Sequence, residues 1–470
     1  MNASKSLVSV SILSALFFAQ NVSASETAVY ADYPVTLSGY SGDASTSVSY
    51  TGQIARHLLH NGIKKLAAQG EGQANEALLA QMTAYYSGKE AGRAVLAPSS
   101  TGAFKLKQTQ IDEISKGKDL KSKTYKGTIT GWPGNMTGPE VIEFMMEKAA
   151  ATEGGFDPLT GYDYGQLISK FMMGAVFYHQ AVDNYLDEKL SADNKPNDKP
   201  YKEGAVYTGK EHSWDEAFGY FGTPANTLAL TPKDAYAIAK GKPAVFDKAD
   251  ANGDGVVDLY TEMTYAHAYY AANADKGGKS DYLHSITRAF IDGRQLIADA
   301  DGKALTDAQR TELRQLADSI ATQWEQVIAE AAFKYAGSVY KDVKALEQAV
   351  EENMDASKVF RQYAKHWGEL KGFILALQTG KRNLGETATK LNRMVGFSPV
   401  LLGNTQVTGI DADGNYQQGP SEDLKEYRLH MLKVQKLLAE TFDLKARSND
   451  LLAELGGLLE TLGGAGTETD

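Results

Sequence analysis

From Ser280 to near its C-terminus the chain repeats apolar residues at helical spacing almost without a break, and this limits the folds open to it. Apolar positions at i, i+3, i+4 and i+7 mark helices with one buried face, whereas a half-buried strand needs strict alternation. The pattern predicts helices over 281–298, 307–352, 356–378, 384–394, 421–442 and 448–459, the second broken near Gly337. Thr306 and Gln309 make a capping box at the start of the longest. Earlier in the chain, Val48, Ile54, Leu58, Leu59 and Ile63 share one helical face, and a second helix covers 75–86. Residues 87–136 are irregular, with a short hairpin expected around Gly127 within 123–132. Thr137 caps a helix with Pro139 in its first turn, 162–190 reads as a long central core helix, and Thr231-Pro232 opens another. Convincing strand alternation is scarce. The expected class is all-α, built as helical bundles.

The N-terminus carries Lys5, an apolar run from Leu7 to Ala19, and Val22-Ser23-Ala24. A cationic start, a short apolar run and a small-x-small site describe a secretory signal peptide, cleaved after Ala24. The run is too short to span a bilayer, which takes roughly 20 residues. The expected location is therefore periplasmic. Removing residues 1–24 takes Lys5 and no acid, so the formal charge of −11 becomes −12. That balance argues against nucleic acid or anionic lipid as partners. The chain has no Cys, so disulfides, thiolate nucleophiles and Cys-held metals are out, and any metal must be held by oxygen and imidazole.

Two stretches echo one another. EHSWDEAFGYF (Glu211–Phe221) and KHWGELKGF (Lys365–Phe373) both read Trp-x-Glu-x-x-Gly-aromatic, with His212 and His366 just before each Trp. Upstream, Tyr50, Ile54 and Arg56 match Tyr282, Ile286 and Arg288 in spacing. Two matches in the same order suggest an internal duplication: an N-terminal helical half over 25–245, a connector over 246–279, a C-terminal helical half over 280–460 and a disordered tail over 461–470.

The connector holds the strongest local motif, Asp250-Ala251-Asn252-Gly253-Asp254-Gly255-Val256-Val257-Asp258. An EF-hand-type loop needs oxygens at positions 1, 3 and 5, Gly at 6, a carbonyl at 7 and often an acid at 9. Asp250, Asn252, Asp254, Val256 and Asp258 fill those places, with Thr261 at position 12 and Glu262 one residue late. Structural calcium is the expectation, with Glu262 reaching back. Asp299-x-Asp301 and Asp411-x-Asp413 lack Gly at position 6 and read as turns.

On helices, His366 with Glu369, and His212 with Asp215 or Glu216, share a face and could ligate iron or another transition metal. Each pair would need ligands from other helices. The alternative is that these residues hydrogen-bond inside a bundle whose core Trp214 and Trp367 fill. Arg56 and Arg288 lie on apolar helices, where an unpaired charge is costly. Glu216 and Glu369 are the expected partners, and a third option is that the Arg binds an anionic ligand. Zincin, nucleophile-elbow, Walker and dinucleotide motifs are all missing.

Taken together, SVSYTGQIAR, EHSWDEAFGYFG, DANGDGVVDLYTE, ITRAFIDGR, WEQVIAEAA and KHWGELKGF resemble the bacterial domain of unknown function 4856 over roughly 30–400. That resemblance implies a secreted or lipid-anchored protein, found alongside imelysin-like proteins and linked to iron uptake. Imelysin-like proteins carry Gly-x-His-x-x-Glu. Here His366-x-x-Glu369 keeps its second half, with Ala364 in the Gly place, and Asp215 stands in the Glu place after His212. The expected function is a non-enzymatic periplasmic binding protein for a metal ion or small ligand, acting in iron acquisition with other envelope iron-uptake proteins. The alternatives are a metal-assisted peptidase-like hydrolase and a structural or partner-binding envelope module.

Overall fold

The periodicity becomes fourteen α-helices in the computed structural model, which describes residues 28–98, 104–191 and 194–462. The expected signal peptide over 1–24 and residues 463–470 of the expected tail lie outside the described residues, while Thr461 closes the last helix. Helices α1 (Thr51–Leu66) and α2 (Glu76–Tyr86) come first, and α2 is capped by Asn75, whose side chain accepts from Leu78 N. Thr137 and Glu140 box the start of α3 (Gly138–Ala151), with Pro139 in its first turn as expected. Next come α4 (Tyr164–Met172), α5 (Gly209–Phe221), α6 (Pro232–Ala239), the single turn α7 (Phe246–Ala249) and α8 (Ala266–Asp275). The C-terminal series is α9 (Tyr282–Asp299), α10 (Asp307–Glu351), α11 (Ser357–Leu377), α12 (Gly385–Val395), α13 (Leu424–Phe442) and α14 (Leu455–Thr461). None of these is long and apolar enough to cross a membrane.

The helix expected over 162–190 is a rod continuous from Tyr164 to Tyr185, and it is not one kind of helix. After α4 it continues as π-helix over Met173–Tyr178 and Gln180–Tyr185. Gly174 lies against α11, where an added Cβ would stand 2.4 Å from Ala376 Cβ. The rod is buried along most of its length and ends at Tyr185, beside the site described below.

α5 wedges between α1 and α9. Gly219 faces Tyr50 and Gln53, where a Cβ would meet theirs at 2.7 and 2.8 Å, and Gly293 makes room for the Trp214 ring. α11 packs along α4 and α10, and Gly372 sits on Lys170 in the same manner. Trp214, Trp324 and Trp367 are wholly buried in one core that runs through both expected halves.

Three expectations need correction. Helix α10 is unbroken at Gly337, which is instead a packing site: a Cβ there would lie 2.3 Å from Asn449 O. The hairpin around Gly127 does not form. The chain folds back later, at residues 131–135, where Gly131, Gly134 and Asn135 take positive φ, so that Ile129 N bonds Met136 O and Gly138 N bonds Gly127 O. A real hairpin, β3 (Thr405–Ile410) with β4 (Tyr416–Pro420), was not expected. Its turn is the Asp411–Asn415 segment, where the Asp411 carboxylate accepts from Asp413 N and Asn415 N. A second, two-residue pair, β1 (Phe156–Asp157) with β2 (Tyr162–Asp163), precedes α4.

Candidate functional site

Helix α5 presents three different faces. Thr208 caps it, accepting from Glu211 N, and Gly222 ends it in the left-handed conformation at φ 82°. Trp214, Ala217, Phe218 and Phe221 form the core face, and Trp214 Nε1 donates to Phe290 O at 2.7 Å.

The second face carries Glu211 and Asp215, and both meet Arg294 of α9. Arg294 Nε donates to Asp215 Oδ1 at 2.9 Å, Nη1 to Glu211 Oε1 at 3.3 Å and Nη2 to Ser47 Oγ at 2.5 Å. All three charged side chains have 0% exposure. Tyr30 Oη and Ser49 N also donate to Asp215, Thr36 Oγ1 donates to Glu211, and the Tyr33 ring lies 4.8 Å from the guanidinium. A buried ion group persists only when its lone pairs and protons are satisfied in this way. The network fastens residues 30–49 across α5 and α9. It is architecture, and it commits Asp215.

The third face is half-buried and holds His212 and Glu216. Tyr207 stacks on the His212 ring at 4.2 Å and Tyr201 meets it edge-on at 4.4 Å. Burial pushes His212 down to about 4, so its ring is neutral at neutral pH. Glu216 Oε1 accepts from Gln53 Nε2 at 2.9 Å, while Oε2 accepts no hydrogen bond. Oε2 lies 3.9 Å from the Lys189 Nζ cation and 3.8 Å from the neutral His212 Nε2, and the side chains of these three residues are 13–15% exposed. Lys189 Nζ sits 4.2 Å over the Tyr185 ring at the end of the π-helical rod. The charges of Glu216 and Arg56 both act on Lys118, Lys123 and Tyr185, which complete the surroundings.

Residues 147–241 match the family described as Domain of unknown function (DUF4856). That segment belongs to the DUF4856 family. No curated protein and no solved structure matches the chain. The DUF4856 segment supplies the rod, all of α5, and Tyr185, Lys189, Tyr201, Tyr207, His212 and Glu216. Arg56, Lys118 and Lys123 reach the same face from outside it. The imelysin-like expectation has no counterpart among these matches.

The echo on α11 has other surroundings. His366 Nδ1 pairs with Asp342 Oδ2 of α10 at 2.6 Å, while Glu369 accepts from Tyr335 Oη at 3.0 Å and lies 3.8 Å from Lys170 Nζ. Their partners share nothing with those of His212 and Glu216. Among the described residues, no three His, Cys, Asp or Glu side chains gather so as to hold a metal ion. The expected Arg pairings are also not found. Arg56 bonds the main-chain carbonyls of Asp119 and Gly52, and Arg288 pairs with Asp281 at the surface.

The 250–262 loop has the turn of an EF-hand loop without its cage. Asp250 accepts from Asp254 N and Gly255 N, and Gly255 takes φ +84° as position 6 requires. Val257 bonds main chain to main chain with Lys105 and Lys107. Glu262, however, spends both carboxylate oxygens on Ala251 N, Asn252 N and Asp258 N. Asp258 is held by Lys107 Nζ and Gln108 Nε2, each at 2.8 Å. Lys107 thus puts a positive charge against the loop. In the loop of Asp250, Asn252, Asp254, Val256, Asp258 and Glu262, the four carboxylates accept from groups of the loop itself, Lys107 and Gln108, and do not gather into a metal-holding group.

Proposed function

We propose that this is an exported, non-enzymatic binding protein whose small ligand sits on the His212–Glu216 face of α5. The observation that carries the reading is Glu216 Oε2, a buried carboxylate oxygen with no hydrogen-bond donor, on a face where Tyr201 and Tyr207 pack on His212 and Tyr185 lies under Lys189. Small ligands are held where aromatic side chains surround a few convergent polar groups. The iron reading draws no support from this face, because the charges around Glu216 are cations, which repel a metal ion. The metal-assisted hydrolase needs a metal site with an open position, and the described residues gather no such ligand set.

A thermal-shift screen of a small-metabolite library tests the reading. Ligands that raise the melting temperature should lose that effect in Tyr207→Ala and in His212→Ala. Hits that act equally on both variants would place the ligand elsewhere and remove the proposal.

A further inference from the structure

The charge around that face points to the class of ligand. Arg56 is only 7% exposed, yet its Nε donates to Asp119 O at 2.9 Å and its Nη1 to Gly52 O at 3.2 Å, both uncharged groups. Among the described residues no carboxylate lies within salt-bridge distance of it. Lys118 is folded over the same turn of α1: a Cβ on Gly52 would stand 3.1 Å from Lys118 Cε and 3.5 Å from Arg56 Nη1. Gly52 leaves the space in which these two cations meet. Neither Lys118 nor Lys123 forms a salt bridge among the described residues, and Lys202 adds a further cation at the exposed rim.

The carboxylates present are too few to balance this group. Asp119 spends its oxygens on Ser122 N and Ser122 Oγ and lies 3.7 Å from Lys89. Glu216 gives one oxygen to Gln53 and keeps the other 3.9 Å from Lys189. Burial together with the neighbouring Arg56 charge holds the Lys118 and Lys123 amines below their ordinary range, the mark of like charges drawn close out of water. Such an excess is conspicuous in a chain of net charge −11, where acids are plentiful everywhere else. Cations grouped in excess of their counter-charge, one of them a guanidinium, recognise oxyanions.

We propose that the ligand is a small oxyanion, bearing phosphate or carboxylate groups, held among Arg56, Lys118, Lys123 and Lys189 with Tyr185 and Tyr201 as the wall. This assignment rests on the reading of the α5 face as a binding site. The anion would take the place opposite Glu216, whose free oxygen accepts a donor from a protonated or hydroxylated part of the same molecule.

The test is isothermal titration of the full chain with inorganic phosphate and, separately, succinate, at 20 mM and 300 mM NaCl. At least one probe should bind, at least fivefold more weakly at the higher salt. The double variant Lys118→Ala/Lys123→Ala, which removes only partly exposed side chains, should weaken it at least tenfold. Lys240→Ala/Lys276→Ala, on a lysine–tyrosine patch around Tyr236 at the C-terminal ends of α6 and α8, should leave it unchanged. Phosphate binding alone, or succinate binding alone, selects between the two oxyanion classes. Equal binding by both double variants overturns the assignment. A library ligand that depends on Tyr207 and His212 but ignores salt and the lysine changes leaves the binding face standing and refutes the oxyanion. No binding by anything defeats both.

Discussion

Removing Arg294 would leave Asp215 and Glu211 as two carboxylates buried without a counter-charge. Breaking a buried ion group from one side costs about 3–5 kcal/mol, so Arg294→Met should lower the urea midpoint accordingly. A loss under about 1 kcal/mol would show that the network does not hold the arm. The buried histidines set a pH dependence. Burial pushes His57 and His60 down to about 3, His212 to about 4 and His267 well below its ordinary value. Each is neutral in the fold and titrates near 6.5 when unfolded, so the unfolded chain gains protons first and stability falls as pH drops below about 6.5. Asp215, pushed up to about 6 by burial, works in the opposite sense, but mainly below pH 6. Between pH 7.5 and 6.0 the chain should therefore lose on the order of 2 kcal/mol, read by urea denaturation at each pH. Stability that rises over that interval would contradict the burial of these rings. Arg294 was missed in the sequence because Arg288, six residues earlier, matched Arg56 in spacing. Its own clue was an Arg beside Gly293 on the apolar stripe of Ile286, Phe290 and Ile297.

At the scale of elements, both Trp motifs use their glycine in one way: Gly219 seats α5 on α1, and Gly372 seats α11 on α4. Alanine is the better helix former by about 1 kcal/mol, but its methyl would stand 2.7 Å from Tyr50 Cβ at the first position and 2.5 Å from Lys170 Cβ at the second. Gly219→Ala and Gly372→Ala should each destabilise by about 1–3 kcal/mol through overpacking, measured by chemical denaturation. A gain in stability at either position would mean that the helices can part at no cost. Helix boundaries were legible where a cap and a period coincided, as at Thr137, Thr231 and Thr306. The π-helical turns were not, because burial on nearly all sides of 173–182 erases the period that would reveal a wider helix. The β3–β4 hairpin was hidden by its glycine and glutamine residues, which give a strand no alternation to read.

Across the whole molecule the fold class was readable because helical periodicity is dense, while the site was not, because its cations come from segments as far apart as Arg56 and Lys189. The DUF4856 segment contributes only part of that face. The 250–262 loop shows the same limit: its residue types suited calcium, and Lys107, more than 140 positions earlier in the chain, decides where Asp258 turns. A bound ion at a hundredfold excess over Kd would add about 2.7 kcal/mol. Melting temperatures in 1 mM CaCl2 and in 1 mM EDTA should instead agree within about 1 °C. A rise of several degrees with calcium would show that Glu262 and Asp258 leave their present partners. The central claim, that an oxyanion is held on the third face of α5, is most directly tested by amine-reactive footprinting with and without 10 mM phosphate or succinate. Lys118, Lys123 and Lys189 should be labelled more slowly when the anion is present, with Lys240 and Lys276 unchanged. Equal labelling of all five lysines with either anion would contradict it.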